Sequence, residues 1–210
     1  MAEFESSQVM QKVIKFLSSL LQRAAETNDA FRDLASQKLS IFHGLTRPTI
    51  SVGCYLERIF KYANCSPSCF IVAYIYLDRF AIKQPFLPIN SYNVHRLLIA
   101  SVLVSAKFMD DIFYNNAYYA KVGGINTMEM NLLEMDFLFG LGFELNVSPS
   151  TFHTYCCYLQ REMMFESPPL NITPSGTSTD SNNYNKLHNH YGINNNNEDA
   201  GSTHPRQLAV

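Results

Sequence analysis

The sequence lacks most of the features that mark secreted proteins. Its 210 residues include no tryptophan and only five cysteines, an odd number whose spacing fits neither paired zinc-binding CxxC units nor a compact disulfide framework. The residues after Met1 contain no basic segment followed by an apolar core, so no secretory signal peptide is expected. We therefore predict reduced, structural thiols in an intracellular protein of the nucleus or the cytoplasm.

Long apolar segments and an excess of one charge are also absent. The apolar run at 97–106 is far shorter than the ~20 residues that a membrane-spanning helix needs. Residues 1–165 carry 14 basic and 14 acidic side chains, whereas binding of nucleic acid or of an anionic membrane surface needs clustered Lys and Arg. The sequence therefore predicts no transmembrane segment, and neither nucleic acid nor a membrane is expected as a partner.

Recognisable catalytic motifs are missing as well. There is no Gly-x-Ser-x-Gly elbow, and the pair Gly123 and Gly124 lacks the following Lys-Ser or Lys-Thr of a phosphate-binding loop. Asp110 and Asp111 are adjacent, so on a helix end their side chains point about 100° apart and a shared metal ion would need a third carboxylate. We expect no catalytic residue, no metal, no cofactor and no small-molecule ligand.

The composition changes sharply near Glu166. Residues 166–210 include nine Asn, and only eight of these 45 residues are Val, Ile, Leu or Tyr. Such a segment cannot bury enough apolar surface to offset the entropy of its chain. We therefore predict a disordered, Asn-rich tail over 165–210.

Before this tail, apolar residues recur with the period of an α-helix. They predict an N-terminal amphipathic helix near 7–25, followed by a mixed segment that docks on the core and completes a unit at 1–49. Five further helices are expected across 50–164. Two of these are apolar on nearly every face, as helices in the middle of a domain are. The predicted fold is all-α.

Individual residues mark several of the expected helix ends. The third of the five helices should end near Met109 and be followed by a loop at 110–124. Gly140 and Gly142 are expected to end the fourth helix. The residues expected to open the first, third and fourth helices are Ser51, Asn90 or Ser91, and Asn126 or Thr127.

Two charged residues stand out on apolar helices. Lys107 follows directly after the apolar run at 97–106, and Glu134 lies 27 residues later inside another apolar helical pattern. One interpretation is a pair of solvated charges at helix ends. The other is one rigid surface that grips backbone groups of another protein. The residues alone leave both interpretations open.

Short motifs in a characteristic order resemble a known family. They are YLDRF at 76–80, AKFMDD at 106–111, Glu134, and GFEL at 142–145. In this order and spacing they resemble a five-helix cyclin box, and the resemblance covers about 50–164. PTISV at 48–52 and YLERI at 55–59 are similar to the P-type, also called U-type, cyclins of plants, which are relatives of fungal phosphate-signalling cyclins.

The resemblance implies a non-enzymatic regulatory subunit that binds and activates a cyclin-dependent protein kinase by stabilising its active conformation. In cyclins, the Lys that ends the third box helix and the Glu of the next helix hydrogen-bond the kinase backbone around its regulatory helix. Here these residues would be Lys107 and Glu134. The apolar groove beside them would comprise Phe108, Leu138, Phe143 and Leu145.

Two alternatives to a kinase activator stay open. The first is an interaction scaffold with the same fold that binds transcription or signalling proteins and activates no kinase. The second is a small helical enzyme or metal protein. A scaffold would not need Lys107 and Glu134 as a pair, so this pair separates the first alternative from the activator.

The chain also departs from the cyclin pattern. Typical cell-cycle cyclins carry a substrate-docking patch with Met, Arg, Leu and Trp on the first box helix, whereas this chain reads SVGCYLERI at 51–59 and has no Trp. The Arg of that patch normally pairs with the Asp found here as Asp78, so Asp78 is expected to find another partner. The resemblance therefore does not extend to docking of Arg-x-Leu substrates, nor to a second helical repeat, which 45 polar residues cannot build.

Overall fold

Helices account for all the regular structure of the described residues. The computed structural model describes residues 7–31 and 39–166, and within these ranges it contains no strand. The helices are α1 (Ser7–Phe31), α2 (Val52–Tyr62), α3 (Ser68–Lys83), α4 (Val94–Met109), α5 (Asn116–Gly123), α6 (Thr127–Leu141) and α7 (Pro149–Glu166). The predicted all-α fold is confirmed. The tail predicted at 165–210 lies outside the described residues, apart from its first two positions at the end of α7.

The two helices that were predicted to be central are central. From 69 to 80, α3 is buried at every position except Arg79, and α4 is buried without interruption over 97–106. The two helices pack against each other. Because neither offers a face to water along these stretches, the other helices must surround them. Despite this apolarity, no helix in the described part of the chain is long and apolar enough to span a membrane.

The outer helices cover this pair from several sides. α1 lies along α2 and also contacts α7, while α6 packs on both α4 and α3. The apolar stripe of α1, which includes Val13, Leu17 and Leu21, is buried. α1 extends beyond its predicted end near 25 to Phe31.

Local capping bonds explain where two of the helices begin. The Ser51 hydroxyl accepts a hydrogen bond from the backbone N–H of Cys54 at 3.1 Å, and the Asn126 side chain accepts one from the N–H of Glu129 at 2.8 Å. Each bond satisfies a donor that the first turn of a helix leaves without a partner. The helix starts predicted at these two residues are confirmed.

The end of α6 differs from the prediction at one of two glycines. Gly142 follows the last helical residue with φ 62°, a left-handed conformation that glycine adopts without strain. Gly140 instead lies inside α6, where a Cβ atom would come within 2.2 Å of the Phe80 ring. A side chain at position 140 would collide with α3, so this glycine marks a close approach of two helices and not a helix end.

The prediction of a loop at 110–124 is wrong for the second half of this segment, which forms α5. Asn115 caps this short helix by accepting a hydrogen bond from the N–H of Tyr118 at 3.0 Å, and Gly124 ends it at φ 73°. Its eight residues are too few to display a clear helical repeat. As a result, Glu134 lies on the second helix after α4 and not on the next one.

α4 also begins later than predicted, at Val94. Asn93 Oδ1 accepts a hydrogen bond from the backbone N–H of Asn90 at 2.8 Å, and Asn90 Oδ1 accepts one from the N–H of Tyr92 at 2.9 Å. Asn side chains that bond nearby backbone groups in this way compete with helix formation. Asn90 and Ser91, which were predicted to open the helix, therefore lie in the turn before it.

Candidate functional site

Lys107 and Glu134 meet at the surface between α4 and α6. Lys107 Nζ donates a hydrogen bond to Glu134 Oε1 at 2.8 Å, and the two side chains are 29% and 17% exposed. Lys107 lies in the last turn of α4. The other carboxylate oxygen of Glu134 accepts a hydrogen bond at 2.7 Å from Nδ2 of Asn116, the first residue of α5. The pair is therefore partly buried, and three helices hold it.

Asn116 is a member of this site that the sequence did not predict. Its Nδ2 also donates to Oδ1 of Asn131 at 2.7 Å, so Asn116 bonds α6 at two positions. The only sequence signal was the pair Asn115 and Asn116, which is typical of a helix start. That signal lay inside a segment that was predicted as a loop.

The arrangement leaves both charged groups able to bond a further partner. A Lys ammonium has three N–H donors, and a Glu carboxylate has two oxygens that can each accept more than one hydrogen bond. Because Glu134 takes one donor of Lys107, the remaining donors can meet backbone carbonyl groups, while the carboxylate can accept backbone N–H groups. The existing contacts already restrict both side chains, so little conformational entropy remains to be lost on binding. The pair is suited to gripping the backbone of another protein.

A second ion pair joins the same two helices near their first turns. Arg96 Nη2 lies 2.6 Å from Glu129 Oε1, and these side chains are 25% and 27% exposed. An ion pair between α4 and α6 is therefore not in itself evidence of a binding site. The apolar side chains next to Lys107 distinguish the Lys107–Glu134 pair from the Arg96–Glu129 pair.

Large aromatic side chains are exposed directly after Lys107 and just beyond α6. Phe108, the next residue after Lys107, and Phe143, just beyond α6, are each about half exposed. The Phe143 ring packs edge-on against the ring of Phe139, with 5.2 Å between the ring centres. Two of the four apolar residues predicted for the groove are thus prominent at the surface.

The other two predicted groove residues, Leu138 and Leu145, are partly buried against the core. Leu138 lies one turn after Glu134 on α6, and its carbonyl oxygen accepts a hydrogen bond from the N–H of Phe143 at 3.0 Å. The carbonyl oxygen of Leu145 accepts a hydrogen bond from the Tyr76 hydroxyl at 2.7 Å. The six predicted residues thus lie at the end of α4, on the second half of α6 and just after α6. Their role in binding a partner stays a prediction.

The outer face of α6 is apolar as well, which the sequence-based prediction did not include. Its exposed apolar residues recur every three or four positions and share one face of the helix. They are Met128, Leu132, Met135 and Phe139. The buried face consists of Met130, Leu133, Phe137 and Leu141. Exposed apolar surface of this kind marks sites of interaction.

Asp78 has a new partner, Tyr155 of α7. The carboxyl group lies almost fully buried on α3, and the Tyr155 hydroxyl donates a hydrogen bond to its Oδ2 at 2.5 Å. Its Oδ1 has no hydrogen-bond partner among the described residues. Burial raises the pKa of Asp78 to about 6, against the opposing effects of the Tyr155 hydrogen bond and the charge of Arg79. The expectation that Asp78 finds another partner is confirmed, and the contact ties α7 to α3.

Asp110, which was considered as a metal ligand, bonds the backbone instead. Its Oδ2 accepts a hydrogen bond from the N–H of Ser66 at 2.9 Å, just before α3 begins. Within 7–31 and 39–166, no three His, Cys, Asp or Glu side chains lie close enough together to hold a metal ion. The carboxylate of Asp110 therefore has a structural task at the start of a central helix.

Comparison with known proteins identifies similar chains over most of this length. The family model described as Cyclin matches residues 7–145. The chain is 67% identical over 181 residues to Cyclin-U4-1 of Arabidopsis thaliana, a match that covers 85% of this chain and 90% of that protein. It is 58% identical over 208 residues to Cyclin-U4-3 of the same species, covering 97% and 91%. It is also 58% identical over 171 residues to Cyclin-P4-1 of Oryza sativa subsp. japonica, covering 79% and 81%.

Proposed function

The chain belongs to the cyclin family, among its plant P- and U-type members, and on that premise we propose that it binds and activates a cyclin-dependent protein kinase. Cyclins are regulatory proteins, and this chain would supply no catalytic group of its own. The observation that carries the proposal is the partly buried pair of Lys107 and Glu134, which Phe108 follows with its aromatic side chain exposed at the end of α4.

The proposed mechanism is a population shift in the kinase. A protein kinase is active when a Glu of its regulatory helix pairs with its catalytic Lys, which requires that helix to be turned inward. Lys107 and Glu134 would hydrogen-bond the kinase backbone next to this helix, while Phe108 and Phe143 would cover its apolar side. A surface that binds the inward conformer more tightly than the outward one shifts the equilibrium by that difference in affinity.

The charged and apolar parts of the surface have different tasks in this mechanism. Full burial of one Phe side chain contributes about 1.5–3 kcal/mol, and Phe108 and Phe143 are each about half exposed, so each would add roughly half of that. A hydrogen bond to a charged group contributes about 1.5–3 kcal/mol and depends on geometry. Both parts would therefore contribute affinity, and the hydrogen bonds, which depend on geometry, would also fix the register of the two proteins.

Replacing both Lys107 and Glu134 by Ala tests the proposal. The double change removes two groups that would bond the kinase and leaves no unpaired charge behind. We expect affinity for a plant cyclin-dependent kinase, measured by calorimetry, to fall at least tenfold, which corresponds to about 1.4 kcal/mol. Thermal unfolding of the variant should remain cooperative, because both side chains lie at the surface.

The matched control is Arg96→Ala with Glu129→Ala. It removes an ion pair of similar exposure between the same two helices, at their first turns. Kinase affinity should change less than twofold in this variant. An equal loss in both double variants would mean that the Lys107 pair acts only through the packing of α4 and α6. Unaltered affinity in the variant that lacks Lys107 and Glu134 would show that these two residues do not bind the kinase.

A further inference from the structure

The backbone that follows α6 is bonded by side chains from one face of α3. We refer to residues 142–146 as the post-α6 loop. The Tyr76 hydroxyl donates a hydrogen bond to the carbonyl oxygen of Leu145 at 2.7 Å. Arg79 Nη1 donates to the carbonyl oxygens of Glu144 and Asn146 at 2.8 and 3.0 Å. Two side chains of α3 thus satisfy three successive carbonyl groups of the loop.

Lys83, one turn further along α3, adds contacts at the end of α6. Its Nζ donates to the carbonyl oxygen of Leu141 at 2.8 Å and also lies 2.8 Å from Oε1 of Glu144. Gln84 Nε2 donates to the carbonyl oxygen of Gly140 at 3.2 Å. The last carbonyl groups of a helix have no partners within that helix, and here α3 supplies them. The contacts run without a break from the last turn of α6 into the post-α6 loop.

Phe143 needs such support because its backbone is left-handed, with φ 58°. A residue with a side chain is disfavoured in this region, since its Cβ comes too close to the following carbonyl oxygen. Such a conformation persists only where the surrounding structure holds it. Burial of the Phe143 side chain does not offset this strain, because the residue is about half exposed. The contacts from α3 bond the backbone on both sides of Phe143, and together with the hydrogen bond from its N–H to the Leu138 carbonyl they surround the residue that presents this ring at the surface.

We propose that Tyr76, Arg79 and Lys83 are positioning residues for the kinase-binding surface. They hold the post-α6 loop in the conformation in which Phe143 and Leu145 meet the kinase. The inference rests on the proposed function, because it takes those two residues as kinase contacts. A loop that already has its bound conformation loses less entropy on binding, so kinase affinity depends on Arg79 although Arg79 acts only through the loop.

The variant Arg79→Met tests this role, because it removes both guanidinium hydrogen bonds and keeps most of the aliphatic stem. In the free chain, the backbone amides of 143–145, which are hydrogen-bonded in the parent, should exchange hydrogen at least tenfold faster than in the parent. The dissociation constant for the kinase should rise at least fivefold, while thermal unfolding stays cooperative. Arg79→Lys retains a charged donor, so its amide exchange and its dissociation constant should lie between those of the parent and those of Arg79→Met.

A control variant with the same chemistry lies elsewhere in the domain. Arg58 Nη2 donates a hydrogen bond to the carbonyl oxygen of Lys121 at 3.2 Å, between α2 and α5. Arg58→Met therefore also removes a guanidinium bond to backbone, but not from the post-α6 loop. Kinase affinity and amide exchange at 143–145 should match the parent in this variant.

A mutant cycle in a chain with both Phe143→Ala and Leu145→Ala separates positioning from any direct contact of Arg79 with the kinase. If Arg79 acts through these two residues, adding Arg79→Met to that chain should weaken binding less than twofold further. Fully additive effects would overturn the inference, as would unchanged amide exchange or faster exchange with unchanged affinity. If the parent chain binds no cyclin-dependent kinase, the proposed function itself fails. If the parent binds the kinase but the effects of the substitutions are additive, only the positioning role is wrong.

Discussion

The carboxyl group of Asp78 is buried between α3 and α7, with one oxygen bonded to Tyr155. Burial disfavours its charged form and raises the pKa to about 6 from an ordinary value near 3.8. The folded chain therefore binds this proton more tightly than the unfolded chain does. The stability that this group contributes is fully present below pH 4 and is lost as the pH rises through 6.

Asp78→Asn should remove this pH dependence, because the Asn side chain does not ionise and its carbonyl can still accept the Tyr155 hydroxyl. From this group alone we expect the parent to lose roughly 1–3 kcal/mol of unfolding free energy between pH 4 and pH 7. The variant should lack that loss. Urea denaturation of both chains at the two pH values is the measurement. An identical difference in parent and variant would show that Asp78 does not titrate with a raised pKa.

Single-residue roles were predictable from the sequence where the chemistry is local. Ser51 and Asn126 bond backbone groups three positions away, so their spacing alone predicts the caps. Tyr155 meets Asp78 across 77 positions, and no rule about sequence neighbours connects them. The contact depends on how α7 packs on α3, which the pattern of one helix does not contain.

At the scale of helices, α4 contains both a residue that the fold needs and a residue that the proposed binding needs. Val102 lies fully buried in its middle, whereas Lys107 is partly exposed in its last turn. Only five positions separate them. Substitutions at these two sites can therefore distinguish loss of structure from loss of the partner.

Val102→Asp should unfold the domain. A buried carboxylate without a partner costs several kcal/mol, a large part of the ~5–15 kcal/mol by which a typical domain is stable. We expect the variant to lose its cooperative transition in circular-dichroism melts and, with it, kinase binding. Lys107→Ala should keep the transition and lose affinity. A Val102→Asp chain that melts like the parent would contradict the central position of α4.

Whole helices were predictable in proportion to the strength of their pattern. α3 and α4 are apolar over long stretches, and both were predicted as central helices. α5 was missed because its eight residues are too short for a repeat to show. α6 was predicted, but its exposed face was not. Whether Met135 or Leu132 is exposed depends on which neighbours cover it, and a local pattern does not record that.

For the whole molecule, binding a kinase and activating it are separable properties. An activator must bind the active conformer of the kinase more tightly than the inactive one, whereas a scaffold needs only affinity. A tenfold shift in the ratio of conformers requires a difference of about 1.4 kcal/mol between the binding free energies of the two conformers.

The family could be predicted because motifs such as those at 76–80 and 106–111 have a fixed order, and the comparisons confirm it. The particular kinase could not, because it depends on the shape of a second protein.

Titrating a cyclin-dependent kinase with the chain tests activation directly. We expect activity toward a Ser-Pro or Thr-Pro peptide to rise at least tenfold and to saturate at the same concentration as binding. The variant with Ala at both Lys107 and Glu134 should need a higher concentration for the same activity. Saturated binding without any rise in activity would favour the scaffold over the activator.

The outer face of α6 also governs how the purified chain behaves in concentrated solution. Its Met and Phe side chains meet water, and with a formal net charge of −2 little electrostatic repulsion keeps copies apart. Salts that are excluded from protein surfaces, such as sulfate, strengthen apolar association. A sulfate buffer would therefore bring copies together through residues that border the proposed kinase surface. Calorimetry in such a buffer would measure competition between a second copy of the chain and the kinase.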